Sequence, residues 1–352
     1  MLRVIDSGHR FDWESVVGSF AESDIYQESF YSRALTVGTH EEPLLFSFEG
    51  RDSRIAFAAI KKDISRSEAF CGILSDGDYF DMETPYGYGG PLCDGVFSDG
   101  EKTLLRSELS EYCSANRIVS LFIRFDPLAE NVVLFEGVSE NRFVHNTIFI
   151  DTSSPDVIDR NLSSKNRNMI RKALKNDVVI EHAELDDSQA FLEMYRATMD
   201  RHCASSEYYA FDERYFKALQ EQGADRSTLV YAKKDGIAIS GALFFFNDHH
   251  IHYHLSGSDF AYRNLAAGNL LLYEVAQWAS RRGIKKMHLG GGVSDEDSLF
   301  KFKKQFNKDG LLDYHIGRIV FSESLYSELM EIRKRADQSF DAGNSRLIQY
   351  RA

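Results

Sequence analysis

The sequence predicts an α/β chain with mixed sheets, shared between two domains. Its 352 residues exceed what one compact core usually organises. Apolar runs of strand length recur between amphipathic stretches of helical length. A polar turn, Asp151-Thr-Ser-Ser-Pro155, interrupts the pattern near the middle.

In chain order, Leu44–Phe48 and Arg54–Ile60 form a hairpin around Glu49-Gly50-Arg51-Asp52. From Glu101 to Asn116, Leu104, Leu105, Leu109, Tyr112 and Cys113 repeat at helical spacing. Strands over Val119–Phe125 and Arg142–Ile150 close a first domain, residues 1–150. The second, residues 151–340, opens with a helix over 156–175, then helices near 188–203 and 212–221. Strands over 228–233, 237–246 and 250–256 make a meander, turning at Lys234-Asp235-Gly236 and Asn247-Asp248. An amphipathic helix over 268–282 ends at Gly283, a left-handed cap. The short strand Lys286–Leu289 runs into Gly290-Gly291-Gly292. A helix over 297–306, a strand over 311–321 and a helix from Ser322 follow. Asp341–Ser345 makes residues 341–352 a polar tail, where disorder is expected.

Composition excludes several classes. The first residues lack a signal peptide's apolar core, and no stretch approaches the roughly 18–20 apolar residues of a membrane span. Cys71, Cys93, Cys113 and Cys203 form no CxxC pair, so reduced thiols and a cytoplasmic location are expected. A net charge of −13 opposes general nucleic-acid binding and leaves phosphate to local basic patches.

Chemistry-bearing segments cluster in the second half. Three glycines after a strand permit positive φ and close approach to a carbonyl or phosphate, although a tight turn explains Gly290 and Gly291 equally well. In Ser298–Phe306, Leu299, Phe302 and Phe306 share a face with Lys303 and Lys304 beside it. In Lys165–Lys175, Arg167, Arg171 and Lys175 project together; arginine suits phosphate oxygens, and a solvated face is the plain alternative. The loop Asp259–Leu270, with Arg263, Gly268 and Asn269, enters a helix N-terminus, where free N–H groups favour anions. His250, His252 and His254 share a strand face that alternates with Tyr253. No partnering Cys or acid supports zinc, so no metal is expected and the histidines read as a polar surface lining a cleft. Cys203 beside His202 reads as structural, and no Gly-x-Ser-x-Gly or Walker loop is present. In the first half, Thr84–Asp94 combines Tyr86, Tyr88, three glycines and two prolines, a bend that is either structural or substrate-lining.

These segments together resemble the FemAB-like branch of the GNAT acyltransferase superfamily, whose members include aminoacyl-tRNA-dependent transferases that build peptidoglycan cross-bridges. The resemblance rests on Leu162–Asp177, Ala267–Gly283 leading into Met287-His-Leu-Gly-Gly291, Leu299–Phe306, and Gly90-Pro-Leu-Cys-Asp94. It implies tandem GNAT-like domains, with acceptor binding towards the first and the activated acyl group arriving through the second. Arg263-x-x-Ala266-x-Gly268 departs from the family's Arg/Gln-x-x-Gly-x-Gly/Ala loop for the coenzyme A pyrophosphate, and no long coiled-coil arm fits between Asp151 and Phe321.

The resemblance implies that Lys303, beside Phe302, neutralises charge on the donor or the developing oxyanion, and that Asp94 orients or deprotonates the acceptor amine. The two groups are expected to meet across one crevice. The expected activity is N-acyl or aminoacyl transfer to a primary amine of a nucleotide- or lipid-linked cell-envelope precursor. Acyl-CoA or aminoacyl-tRNA would be donor substrate, with no permanently bound cofactor. Tyr86, Tyr88, Arg167, Arg171, Tyr253, His252 and His254 are candidate substrate contacts; Arg263, Gly268, Asn269, Gly290 and Gly291 are candidate donor contacts. Two alternatives stand: acyl-CoA-dependent acetylation of an amino sugar in surface-polysaccharide synthesis, and a non-catalytic binding module.

Overall fold

A computed structural model describes residues 1–201, 211–292 and 294–352. The chain divides into two compact units, 1–144 with 314–352, and 145–313. The boundaries expected at 150 and 340 differ from this. The chain leaves the first unit within one strand and returns to it within another.

In the first unit, β1 (Leu2–Asp6), α1 (Arg10–Val17) and α2 (Ser29–Leu35) precede the hairpin of β2 (Glu42–Glu49) and β3 (Ser53–Asp63). The hairpin's register pairs Phe48 with Ile55, as the turn requires. Next come β4 (Phe80–Glu83), β5 (Leu92–Gly95), α3 (Asp99–Ala115), β6 (Ile118–Arg124) and the start of β7 (Glu140–Asp151). Ser98 and Glu101 form a reciprocal capping box at the start of α3. Leu105, Leu109 and Cys113 of α3 are fully buried, whereas Leu104 lies outside that stripe and is exposed. One face of the sheet packs on α3 through Phe46, Phe57 and Leu121; Trp13, Val17 and Phe20 cover the opposite face at Leu45 and Ala58.

The second unit begins within β7 and splits the expected helix over 156–175 into α4 (Pro155–Asn161) and α5 (Ser164–Lys175). The break has a local cause. Leu162 is extended, and the Ser163 side chain caps Asn166 N–H, starting a new helix. Then follow β8 (Val179–Ala183), α6 (Gln189–Arg201), α7 (Glu213–Gly223), β9 (Ser227–Lys234), β10 (Ile237–Phe246) and β11 (His250–Ser258). The series continues with α8 (Ala267–Arg281), β12 (Lys286–Gly290), α9 (Ser298–Lys304) and the start of β13 (Leu311–Val320). The sheet order is β7-β12-β11-β10-β9-β8. Helices α4, α5 and α8 pack one face through Ile158, Ile170, Leu271 and Val275. The other face receives α6, whose backbone comes so close to Gly257 that a Cβ there would lie 2.6 Å from Tyr195 N. His202, Cys203 and the end of the helix expected over 188–203 lie outside the described residues.

Back in the first unit, β13 pairs with β6 and α10 (Glu323–Ala336) follows. Residues 341–352 are anchored, contrary to the expected disorder. Tyr350 is fully buried, its hydroxyl bonded to Ser120 at 2.7 Å and Asp81 at 3.0 Å. Arg351 pairs with Asp81 at 2.7 Å and Glu83 at 3.1 Å. Desolvation opposes ionisation of Glu83, but Arg124, Lys62 and Arg351 outweigh it and hold its carboxyl well below the usual range. Composition marked this tail as polar; its aromatic and arginine are what dock it.

Arg351→Ala should cost about 2–4 kcal/mol in urea denaturation, since Asp81 and Glu83 lose a partner in a poorly hydrated setting. The Glu83 contribution is fully present above the ordinary carboxylate range and decays as pH falls below it. The gap between wild type and variant should therefore narrow in acid.

Candidate functional site

Two strands of the second unit part company. β11 and β12 run parallel and pair at only three positions, ending at His252 opposite His288, although β11 continues to Ser258 and β12 to Gly290. A β-bulge falls just beyond. Leu255 pairs with Leu243 and Tyr253 with Phe244, leaving His254 as the extra residue. Bulges bend a strand and re-aim its side chains.

The glycine turn follows β12, and each glycine has its own reason. Gly290 has φ +70°. A Cβ on Gly291 would lie 2.4 Å from the His145 ring, and one on Gly292 would lie 2.2 Å from the Asp297 carboxylate. The close packing fixes Gly291 O, which accepts a hydrogen bond from Lys303 Nζ at 2.6 Å.

Among the described residues of this unit, Lys303 is the one buried lysine. The expected stripe of Leu299, Phe302 and Phe306 is shifted: Leu299 is exposed, while Phe300 and Lys303 point inward. Asp297 caps the helix at Phe300 N–H and sets this phase. Lys303 is 6% exposed, with its Nζ 5.8 Å from the Tyr253 ring centre. Burial pulls its pKa down to about 7, against a smaller opposing pull from Asp297. Phe302 is half-buried and meets Phe306 edge-on at 5.5 Å. Tyr253 packs on the core beneath α8, and burial raises its hydroxyl pKa despite a hydrogen bond with Ser256.

At the start of α8, Ala266 takes φ +58° and no side chain caps the helix. Ala266 thus holds the left-handed conformation that glycine adopts at lower cost. Asn269 and Leu270 N–H groups return to Ala266 O. A Cβ on Gly268 would meet nothing within 4 Å, so this turn faces open space. Asn269 donates to Asn166 Oδ1 at 2.8 Å. Asn166 is fully buried, and its own Nδ2 has no partner among the described residues. Sequence reasoning passed over Asn166; the signal was a polar residue in register with Ile170 and Ala173 on the buried side of α5. Arg263 is exposed, stacked on the Phe260 ring at 4.1 Å and donating to Phe260 O.

Other expected residues fall elsewhere. His252 is buried against His288, which bonds Thr147 at 2.9 Å. His254 sits among Phe211, Tyr215 and Phe245, with Tyr215 hydroxyl 3.1 Å from its Nε2. Burial, with His252 nearby, holds its pKa at about 3, so it is neutral. The expected polar cleft face is therefore a closed aromatic pocket at His254, because the bulge turns that side chain towards α7. Arg167 is half-buried and donates to Asp159 O of α4 at 3.0 Å, while Arg171 is exposed beside Asn168.

In the first unit, Asp94 of β5 accepts from Arg54 of β3 directly across the register. That guanidinium also reaches Ser19 and lies over Phe20 at 5.1 Å. Asp94 is thus an oriented, ion-paired carboxylate. Tyr88 contacts the Tyr26 and Tyr314 rings edge-on at 6.0 and 5.4 Å. Tyr86 O accepts from Tyr31 hydroxyl at 2.6 Å, and Asn131 braces Gly89 O and Pro91 O. The bend is thus rigidly held and keeps Tyr86 and Tyr88 half-exposed.

Residues 160–304 match the acetyltransferase (GNAT) domain family. Solved structures similar to the whole chain include FemX, 14% identical with TM-score 0.69 over 93% of this chain and 99% of FemX. Another is L-PGS from Bacillus licheniformis, 12% identical with TM-score 0.54 over 92% and 96%. A third is the C-terminal domain of a candidate lysylphosphatidylglycerol synthetase from Agrobacterium fabrum, 11% identical with TM-score 0.54 over 94% of each chain. No curated protein matches by sequence. The chain therefore carries a GNAT-type domain, and its likeness to the FemAB-like branch extends to the fold of the full length.

Gly268→Ala should leave Tm unchanged, Ala266→Gly should stabilise by about 1 kcal/mol, and Gly291→Ala should destabilise by several-fold more; thermal melts test all three. Burying an ammonium at position 303 costs stability below pH about 7, and that cost is lifted as pH rises towards the ordinary lysine value of 10.5. Lys303→Met should accordingly raise Tm more at about pH 6 than at about pH 9.5.

Proposed function

We propose that the protein is an N-acyl- or aminoacyltransferase that moves an activated acyl group onto a primary amine of a nucleotide- or lipid-linked cell-envelope precursor. The observation that carries this reading is Lys303, buried in a GNAT-type domain and hydrogen-bonded to the carbonyl of a glycine turn. An ammonium has three N–H donors. One goes to Gly291 O, and the others serve an oxyanion.

In the proposed step the neutral amine nitrogen attacks the acyl carbon of a thioester or aminoacyl ester. Negative charge gathers on the acyl oxygen, where Lys303 stabilises it in a poorly hydrated setting. The tetrahedral centre then collapses, the carbon–sulfur or carbon–oxygen bond breaks, and the amine proton leaves with water or the departing group. No covalent enzyme intermediate is required. Holding donor and acceptor in place supplies much of the acceleration. The uncapped α8 N-terminus and Arg263 are the proposed contacts for donor phosphates. Tyr86, Tyr88 and the ion-paired Asp94 are proposed acceptor contacts, with Asp94 orienting an ammonium or hydroxyl.

The domain match to acetyltransferases favours one second reading, acetylation of an amino sugar from acyl-CoA. It keeps the same Lys303 chemistry and changes only the two substrates. A non-catalytic module would leave Lys303 without a task.

The lysine must be protonated to stabilise an oxyanion, so kcat should fall as pH rises through the neutral range, and Lys303→Arg should remove that descending limb. Lys303→Ala should lower kcat at least about tenfold, or roughly 1.4 kcal/mol in barrier. Turnover of the alanine variant within threefold of wild type, with an unchanged pH profile, would sink the proposal.

A further inference from the structure

The first unit holds a cavity that the acyl-transfer reading leaves unused. It measures about 300 Å³ and lies where α3, the start of β7, β13, α10 and the tail converge. Its polar walls are Arg106, Glu140, Arg318, Glu323, Tyr326 and Gln349, and apolar lining is confined to a short stretch of β13. One wall is held in place from several directions. The Arg318 guanidinium donates to Glu140 Oε2 at 2.8 Å and to Leu347 O at 2.8 Å, with Tyr326 hydroxyl 3.5 Å away. Tyr326 is buried, and its hydroxyl accepts from Gln349 N–H at 2.9 Å. Among the described residues Arg318 Nη2 has no acceptor, so one edge of this fixed fork stays open.

The other two charges are uncommitted. Arg106 donates from Nη1 to Val138 O and meets no carboxylate among the described residues. Glu323 stands in the first turn of α10 and has neither a hydrogen bond nor an ion pair among the described residues. Both are exposed, so a ligand reaches them from solvent. Opposite charges on one cavity gain by closing on each other, yet these two form no pair. With Glu140 and Arg318 joined, the four charges cancel while a guanidinium and a carboxylate remain separately on offer. A phosphate or dicarboxylate would meet Glu140 and Glu323, and a plain cation would meet two arginines. A molecule that carries both charges satisfies both walls. The space admits about ten water-sized groups at roughly 30 Å³ each.

We propose that this cavity binds a small zwitterion of the α-amino acid class, its carboxylate on Arg106 and the open edge of Arg318, its ammonium on Glu323. No residue assigned to acyl transfer lines the cavity, so the proposal stands apart from that reading. Arg318 and Tyr326 also hold Leu347 and Gln349 of the tail, so an occupant fastens the tail as well.

Isothermal titration calorimetry on the full chain tests this with L-alanine, L-serine and L-glutamine, each also in its N-acetyl and its amide form. At least one free amino acid should bind. Both of its blocked forms should bind at least about tenfold more weakly, because each leaves one charged wall unmet. Arg106→Gln and Glu323→Gln should each lower affinity for the free amino acid by at least about tenfold too. Glu323 has no partner to lose, so its variant should keep the wild-type Tm without ligand, which separates a lost site from a lost fold. The bound amino acid should also slow hydrogen exchange at the Gln349 amide of wild type, and neither variant should show that slowing. Failure of all three free amino acids to bind overturns the proposal. So does binding that either variant or either blocked form keeps in full.

Discussion

The short hydrogen bond from Lys303 Nζ to Gly291 O is the contact on which the second unit's site depends. A buried amine is costly unless its donors are met. Meeting even one of them requires a carbonyl at a fixed point. Gly291 provides that point because it has no Cβ to collide with His145. Asp297 provides the other half, since its cap decides which α9 residue faces inward. Gly292 gives Asp297 room to do so. Two glycines, one acid and one lysine therefore form a single constraint, and altering any member shifts the position of the ammonium.

Much of the scaffold was legible because it follows from periodicity. The β2–β3 hairpin, α3 and the β9–β11 meander occur where alternation and helical spacing placed them. What periodicity could not give was phase. Over Ser298–Phe306 an aromatic stripe could be drawn through Phe302 or through Phe300, and only the cap at Asp297 decides between them. The same limit applies at His254, where strict alternation fails because a bulge inserts one residue. The division of the expected 156–175 helix was encoded in Ser163, but Ser163 followed by Ser164 and Lys165 also fits a helix interior. The docked tail was missed for a different reason. Polar composition forecasts exposure only when no buried charge of opposite sign waits elsewhere, and Asp81 and Glu83 lie far away in sequence from Arg351.

The α8 entry illustrates how a weak motif can retain its geometry. Alanine stands at position 266 where the related loop has glycine, yet the backbone keeps φ +58°. Left-handed alanine costs about 1–2 kcal/mol. The surrounding chain therefore imposes the bend, with Asn269 and Leu270 both returning to Ala266 O. A conformation held against residue preference implies that the open space beside Gly268 is maintained rather than incidental.

Charge distribution points the same way. An acidic protein repels polyanions at long range and must offset that repulsion locally to engage one. Among the described residues Lys165, Lys172 and Lys175 of α5 meet no carboxylate, whereas Lys233, Lys234 and Lys301 do. Lys303 sits inside the same unit, and burial draws its pKa down to about 7, so it holds its proton less firmly than an ordinary lysine does. The contrast with α5 follows from hydration alone, since exposed ammonium groups keep their water and a buried one has exchanged its water for a carbonyl.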